Sequence, residues 1–224
     1  MSEPVVVSWS SGKDSALMLA TLRDDPSVEP VALLTTVTAG FDRVSIHGVR
    51  RELLAAQALS VGLPLQEVWL EPASSNAAYE TRLASALSRL RDRYPGVRRI
   101  AYGDLFLEDV RRYREERLAA LGWEGVFPLW GQPTKALAQS LVDSGFEARL
   151  VCVDTTMLAA SFSGRAYDAA LLEELPTHVD PCGEGGEFHT FASYGPGFAT
   201  PVEYRVGEVV MREGRFAYCD LVGR

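Results

Sequence analysis

The sequence is short of cysteine, histidine and lysine, and each shortage excludes something. Its three cysteines, Cys152, Cys182 and Cys219, stand far apart with no CxxC pair. That excludes a disulfide framework and argues against a thiolate zinc or iron–sulfur site. The three histidines, His47, His178 and His189, show no metal-ligand spacing. No apolar run approaches the ~18 residues a membrane helix requires, and the opening MSEPVVVS lacks the basic start and apolar segment of a signal peptide. The expected setting is cytoplasmic, without membrane contact. Positive charge is scarce too: 22 Lys and Arg against 30 Asp and Glu leave a net charge of −8. Nucleic acid is therefore not an expected partner, since gripping phosphates takes a basic face. Of the 22 cations only Lys13 and Lys135 are lysines. A lysine set in a tight glycine turn, in a chain that otherwise uses arginine, indicates a compact ammonium.

What is present is an alternation of strand and helix signals. Residues 4–9 read as a buried strand, followed by a helix over 14–22, a strand over 28–38 and a helix over 45–62. Ser45 would cap that helix and Gly62 end it. A strand over 64–71, a long helix within 74–96, a strand over 97–104 and a helix over 108–122 continue the pattern. After them come a short extended piece over 125–131, a helix over 133–145 and a strand over 147–155. The apolar runs are continuous rather than alternating, so the expected fold is α/β, doubly wound, on a mostly parallel sheet. After about residue 176 the chain turns rich in Gly and Pro with no clear period, and then gives a hairpin signal turning at Glu213–Gly214.

The first strand empties into Ser8, Ser10, Ser11, Gly12, Lys13, Asp14 and Ser15. A strand, a glycine turn and a helix N-terminus make an anion site, because unpaired N–H groups and the positive end of the dipole face the ligand. A Walker loop is excluded, with Val7 where its first glycine belongs and Asp14 directly after Lys13. GxGxxG is absent as well. The stretch resembles the SGGxDS loop of the ATP pyrophosphatases, or PP-loop enzymes, which cleave ATP between the α and β phosphates. Ser11 replaces the first glycine, a costly change if that position needs a positive φ. The backbone and the Ser10, Ser11 and Ser15 hydroxyls would bind pyrophosphate, and Lys13 would neutralise charge as the bond breaks. Asp14 reads either as a capping carboxylate at the helix start or as a ligand of Mg²⁺.

Three later stretches extend the resemblance. Gly103 and Asp104 fall at the carboxyl end of a strand, where parallel sheets bind ligands. Pro128-Leu129-Trp130 follows, and Cys182-Gly183-Glu184-Gly185-Gly186-Glu187-Phe188-His189-Thr190 comes later. In this order, over nearly the whole chain, they resemble the ATP-binding family that includes diphthine–ammonia ligase. That family carries CGE-x-GE-[FY]-x-T in its C-terminal part. Gly103 with Arg111 and Glu115 matches a further G…R…E stretch of the family, Pro128-Leu129-Trp130 its PLW, and His47 a position where relatives carry histidine.

The resemblance implies a PP-loop ATP-binding domain over 1–125 and a smaller α+β substrate-binding domain over 126–224. It implies an ATP-dependent ligase: a carboxylate attacks the α-phosphorus, pyrophosphate leaves, and ammonia displaces AMP to give an amide. ATP and Mg²⁺ are the expected cofactors, with Ser8, Ser10–Ser15, His47, Gly103 and Asp104 around the nucleotide and Asp14 on the metal. Lys13, Asp14, Glu184 and Glu187 are the expected catalytic residues. Arg111, Glu115, Trp130, Cys182, Gly183, Gly185, Gly186 and Thr190 are the expected substrate contacts. Glu184 and Glu187 suit an ammonium, Mg²⁺ or a cationic substrate group, or brace the glycine loop; Cys182 suits a buried thiol better than a nucleophile. The compact form resembles a bacterial branch, where the acceptor is a carboxylate other than diphthine. The alternatives are a tRNA-modifying PP-loop enzyme and an ATP or AMP sensor without turnover. A sheet edge near the C-terminus suits a homodimer.

Overall fold

The computed structural model describes residues 2–224. Strand β1 (Glu3–Ser8) lies at the centre of the first sheet, paired in parallel with β2 (Val28–Thr38) on one side and β5 (Arg99–Ala101) on the other. β4 (Leu65–Leu70) extends the sheet from β2 and β6 (Glu124–Val126) from β5, both in parallel. β3 (Arg43–Val44) adds a short antiparallel pairing to the far end of β2. Strand order therefore reverses at β1 and β5, the point at which an open parallel sheet leaves a crevice beyond its carboxyl ends.

The helices explain why β1 is Val-Val-Val. Val5 and Val7 face α1 (Lys13–Asp24), α2 (Arg51–Val61) and the second sheet. Val6 faces the core under α3 (Asn76–Arg93) and α4 (Glu108–Ala120). All three are wholly buried, each contributing about 1.5–3 kcal/mol against exposure. A strand covered on both faces needs no alternation.

Beyond α5 (Thr134–Asp143) the chain builds a second sheet, antiparallel throughout, in the order β8-β7-β10-β9. Its strands are β7 (Glu147–Asp154), β8 (Phe188–Tyr194), β9 (Tyr204–Arg212) and β10 (Phe216–Gly223). A short helix, α6 (Ala169–Glu174), is capped by Asp168, whose carboxylate accepts from the Leu171 N–H at 2.8 Å. The larger core runs without a break from α1 and α2 to Leu150, Phe188, Phe191 and Ala217 of the second sheet.

Two expectations fail locally. Residues 45–50 are not helical. Ile46 and Gly48 take φ of 67° and 71°, and the Ser45 hydroxyl bonds Thr38 Oγ1 at 2.9 Å instead of capping a helix. The cause is tertiary, since the Tyr218 hydroxyl of β10 donates to the Ile46 carbonyl and its ring lies against Gly48, where a Cβ would come within 2.8 Å. The Gly/Pro-rich segment after 176 holds a full strand, β8. Its sequence shows no period because five of its seven residues are buried.

Candidate active site

The turn after β1 is a loop held by its own serines. The Ser10 hydroxyl accepts from the Gly12 N–H and lies 3.3 Å from Ser15 Oγ, while Ser15 Oγ donates to the Gly12 carbonyl at 2.9 Å. Ser11 stands at φ 69°, the left-handed region that glycine occupies freely. It is fully buried and its hydroxyl has no hydrogen-bond partner. The positive φ that would make serine costly at this position is therefore real.

Strand β8 closes over the loop. The Ala192 N–H donates to the Ser11 carbonyl at 2.9 Å, and the Lys13 N–H to Thr190 Oγ1 at 3.1 Å. Gln57 of α2 donates from Nε2 to the carbonyls of both Ser11 and Ala192, at 3.0 and 2.6 Å, and accepts from Trp9 Nε1 at 3.0 Å. This buried amide went unnoticed in the sequence, although a lone Gln inside LLAAQALSV is a visible signal.

Lys13 begins α1 and points into the protein, 2 % exposed. Its Nζ bonds both Asp14 carboxylate oxygens at 2.9 Å and donates to the Cys182 carbonyl, between the rings of Tyr167 (5.3 Å) and Phe188 (5.6 Å). Burial works hardest against its charge, but Asp14, with Cys182 and Asp180, together outweigh it, so its pKa stands raised. The lysine thus pins the 182–188 loop to the phosphate-type loop. Asp14 supplies no helix cap; it serves Lys13 and stays partly exposed.

Around this pair the two halves of the motif converge. Gly103 lets the β5 loop touch α1, since a Cβ there would lie 3.1 Å from the Asp14 carbonyl. Glu184 Oε1 accepts from the Leu105 N–H at 2.7 Å, bridging the 182–188 loop to the end of β5. Burial first, then Asp14 and Asp104, push its carboxyl up to about 7. Asp104 itself is held by Arg114 at 2.7 Å, with the guanidinium 4.3 Å from the Tyr102 ring centre.

Within the loop, Gly183 and Gly186 need their positive φ of 70° and 85°. Asp180 accepts from the Glu184 N–H at 2.9 Å, and Glu187 Oε1 accepts from the Asp180 N–H at 3.0 Å. Glu187 is buried beneath Gly185, whose missing Cβ would meet its carboxylate at 2.9 Å, and its Oε2 has no partner. Cys182 is buried, bonded to the Thr134 carbonyl at 3.3 Å, and pushed up to about 12 by burial, the state of a neutral thiol.

His47 packs over Gly12 and lies tilted against His189, with ring centres 4.7 Å apart. Burial lowers both, His47 to about 4 and His189 to about 3, so both are neutral imidazoles at pH 7. Arg111 and Glu115 pair on α4 at 2.8 Å, with the Arg111 guanidinium 4.8 and 4.7 Å from the Phe127 and Trp130 ring centres. Their contacts are with one another and with these aromatics, not with the Lys13 cluster. Tyr167, Asp180 and His189 are the neighbours the sequence reading did not single out.

Residues 3–122 match the diphthamide synthase N-terminal domain and residues 133–220 the diphthamide synthase C-terminal domain. The chain belongs to the diphthamide synthase family. It is an ATP-dependent ligase, and the family's reaction is diphthine–ammonia ligation. No curated protein sequence matches the chain. No helix among the described residues is long and apolar enough to cross a membrane. The loop after β1 and the Cys182–Thr190 segment, which the sequence reading expects around nucleotide and acceptor, meet at Lys13 and Thr190.

Proposed function

We propose that this diphthamide synthase family member adenylates a carboxylate with Mg-ATP in the cytoplasm and lets free ammonia displace AMP. The observation that supports it is the Lys13 junction, where the strand–turn–helix anion site and the Glu184 loop are joined by one buried ammonium. The acceptor oxygen attacks the α-phosphorus, the bond to the β-phosphate oxygen breaks, and pyrophosphate leaves against the serines and N–H groups of the loop. Ammonia then attacks the acyl carbon, AMP departs, and the nitrogen loses a proton. Glu184, with a carboxyl near neutrality, is suited to take that proton. The acceptor is a carboxylate seated beside the 182–187 loop.

Among the described residues no three His, Cys, Asp or Glu side chains gather to hold a metal. Mg²⁺ would arrive on the triphosphate, and Asp14, the partly exposed carboxylate beside Lys13, is the residue to hold it. When bound it would neutralise phosphate charge.

The test is purified protein with Mg-ATP, ammonium and a panel of carboxylates including diphthine. Pyrophosphate and AMP in equal amounts, with ¹⁵N from ammonium in the product amide, support the reading. ADP with orthophosphate overturns it. Nucleotide binding with no pyrophosphate release for any carboxylate favours the sensor.

A further inference from the structure

Strand β9 is the free edge of the second sheet, hydrogen-bonded only to β10. From Arg205 to Arg212 every residue is exposed, on both faces. Val206, Val209 and Met211 are each 48 % exposed and Val210 38 %. Unpaired edges are ordinarily blunted by proline, inward charge or a covering loop. Here the register slips only opposite Gly207–Glu208, and Val209 to Arg212 pair regularly with Cys219 to Phe216. Glu208 thus sits in a bulge, one of the devices that blunt an edge, but from Val209 to Arg212 the edge is regular and uncovered, and its large apolar side chains mark an interaction surface.

The charge pattern selects the partner. Glu208 and Arg212 flank Val210 symmetrically, and among the described residues neither makes an ion pair. If a second β9 runs antiparallel across the edge about Val210, Glu208 of each copy falls opposite Arg212 of the other. Val209 then falls opposite Met211, and Val210 opposite Val210. One sequence thus supplies both halves of two opposite-charge pairs and an apolar centre. A two-fold, isologous contact requires that self-complementarity. Moving the axis one residue either way sets Glu208 against Val210 or Gly214 and loses both pairs.

We infer that two copies of the chain pair through β9, centred on Val210, to give a sheet continuous across both. The occupant is a second copy rather than a foreign peptide, because the pattern answers itself.

Sedimentation velocity over a range of protein concentrations tests this, with circular dichroism confirming that each variant is folded. Wild type should show a reversible dimer. Val210→Lys, which sets like charges on the axis, should leave only monomer. Glu208→Arg should raise the dissociation constant about tenfold or more, since two attractive pairs become two repulsive ones. Glu208→Arg with Arg212→Glu should restore the wild-type constant. Monomer alone at every concentration overturns the inference. So does a dimer indifferent to Val210→Lys, or one that the double exchange fails to rescue. The readout is independent of ligase turnover.

Discussion

The Ala192 N–H donates to the Ser11 carbonyl at 2.9 Å, joining the nucleotide-type loop to the middle of β8. The bond fixes the direction of the Ser11 carbonyl, at a residue whose φ of 69° a side chain resists. Ser11→Gly is therefore expected to stabilise the fold by up to about 1 kcal/mol, the relief of a left-handed conformation less the added chain entropy of glycine. A higher urea midpoint at unchanged slope would confirm it; a lower one would show that the buried hydroxyl contributes more than its lack of a partner implies.

Lys13→Ala should lower the turnover number for pyrophosphate release about tenfold or more, because the buried ammonium that ties Asp14 and the Cys182 carbonyl together is lost. Nucleotide affinity should change far less. Isothermal titration with ATP beside a continuous pyrophosphate assay separates the two effects. Equal losses in binding and turnover would reduce Lys13 to a ground-state contact.

Glu184 makes stability depend on pH. Its carboxyl lies near 7 in the fold against an ordinary 4.5, so the folded state holds the proton more tightly. The fold is favoured below about 4.5 and loses that contribution as pH rises through about 7. Glu184→Gln should flatten the fall of melting temperature between these limits. It should also remove any ionisation near 7 from the rate profile. An unchanged slope in both would mean that Glu184 titrates as a surface acid.

Gly183→Ala places a Cβ 2.8 Å from the Phe188 carbonyl at a φ of 70°, a clash with backbone that cannot swing aside. The 182–188 loop should lift from Lys13. Ligase activity should fall at least tenfold, while far-ultraviolet circular dichroism stays that of the parent. Retained activity would show that the Cys182 carbonyl contact is dispensable.

The fold's first half was legible because its signals are local. Three valines before a small-residue turn, and an apolar periodicity after it, specify β1 and α1 without reference to anything distant. The Cys182–Thr190 stretch was legible as a motif but not as structure. Five of the seven residues from Phe188 to Tyr194 are buried, with α1 against the strand and β7 paired beside it, and no strand period survives such an environment. Residues 45–50 were misread because Tyr218, far along the chain, decides their shape. The pairing of Asp104 with Arg114 was hidden for a similar reason: a strand end and a helix face meet only after the sheet has formed. Glu187 reads from the sequence either as a chemical group or as a brace of the glycine loop, and the structure sets it underneath the glycines, bonded to Asp180.

Because the larger apolar core runs beneath both sheets, the halves of this protein are expected to melt in a single calorimetric transition. A replacement C-terminal half would have to fit the seam around Leu54, Phe191 and Ala217, where the two sheets share one core. Change of acceptor by recombination would therefore need the seam recut together with the loop.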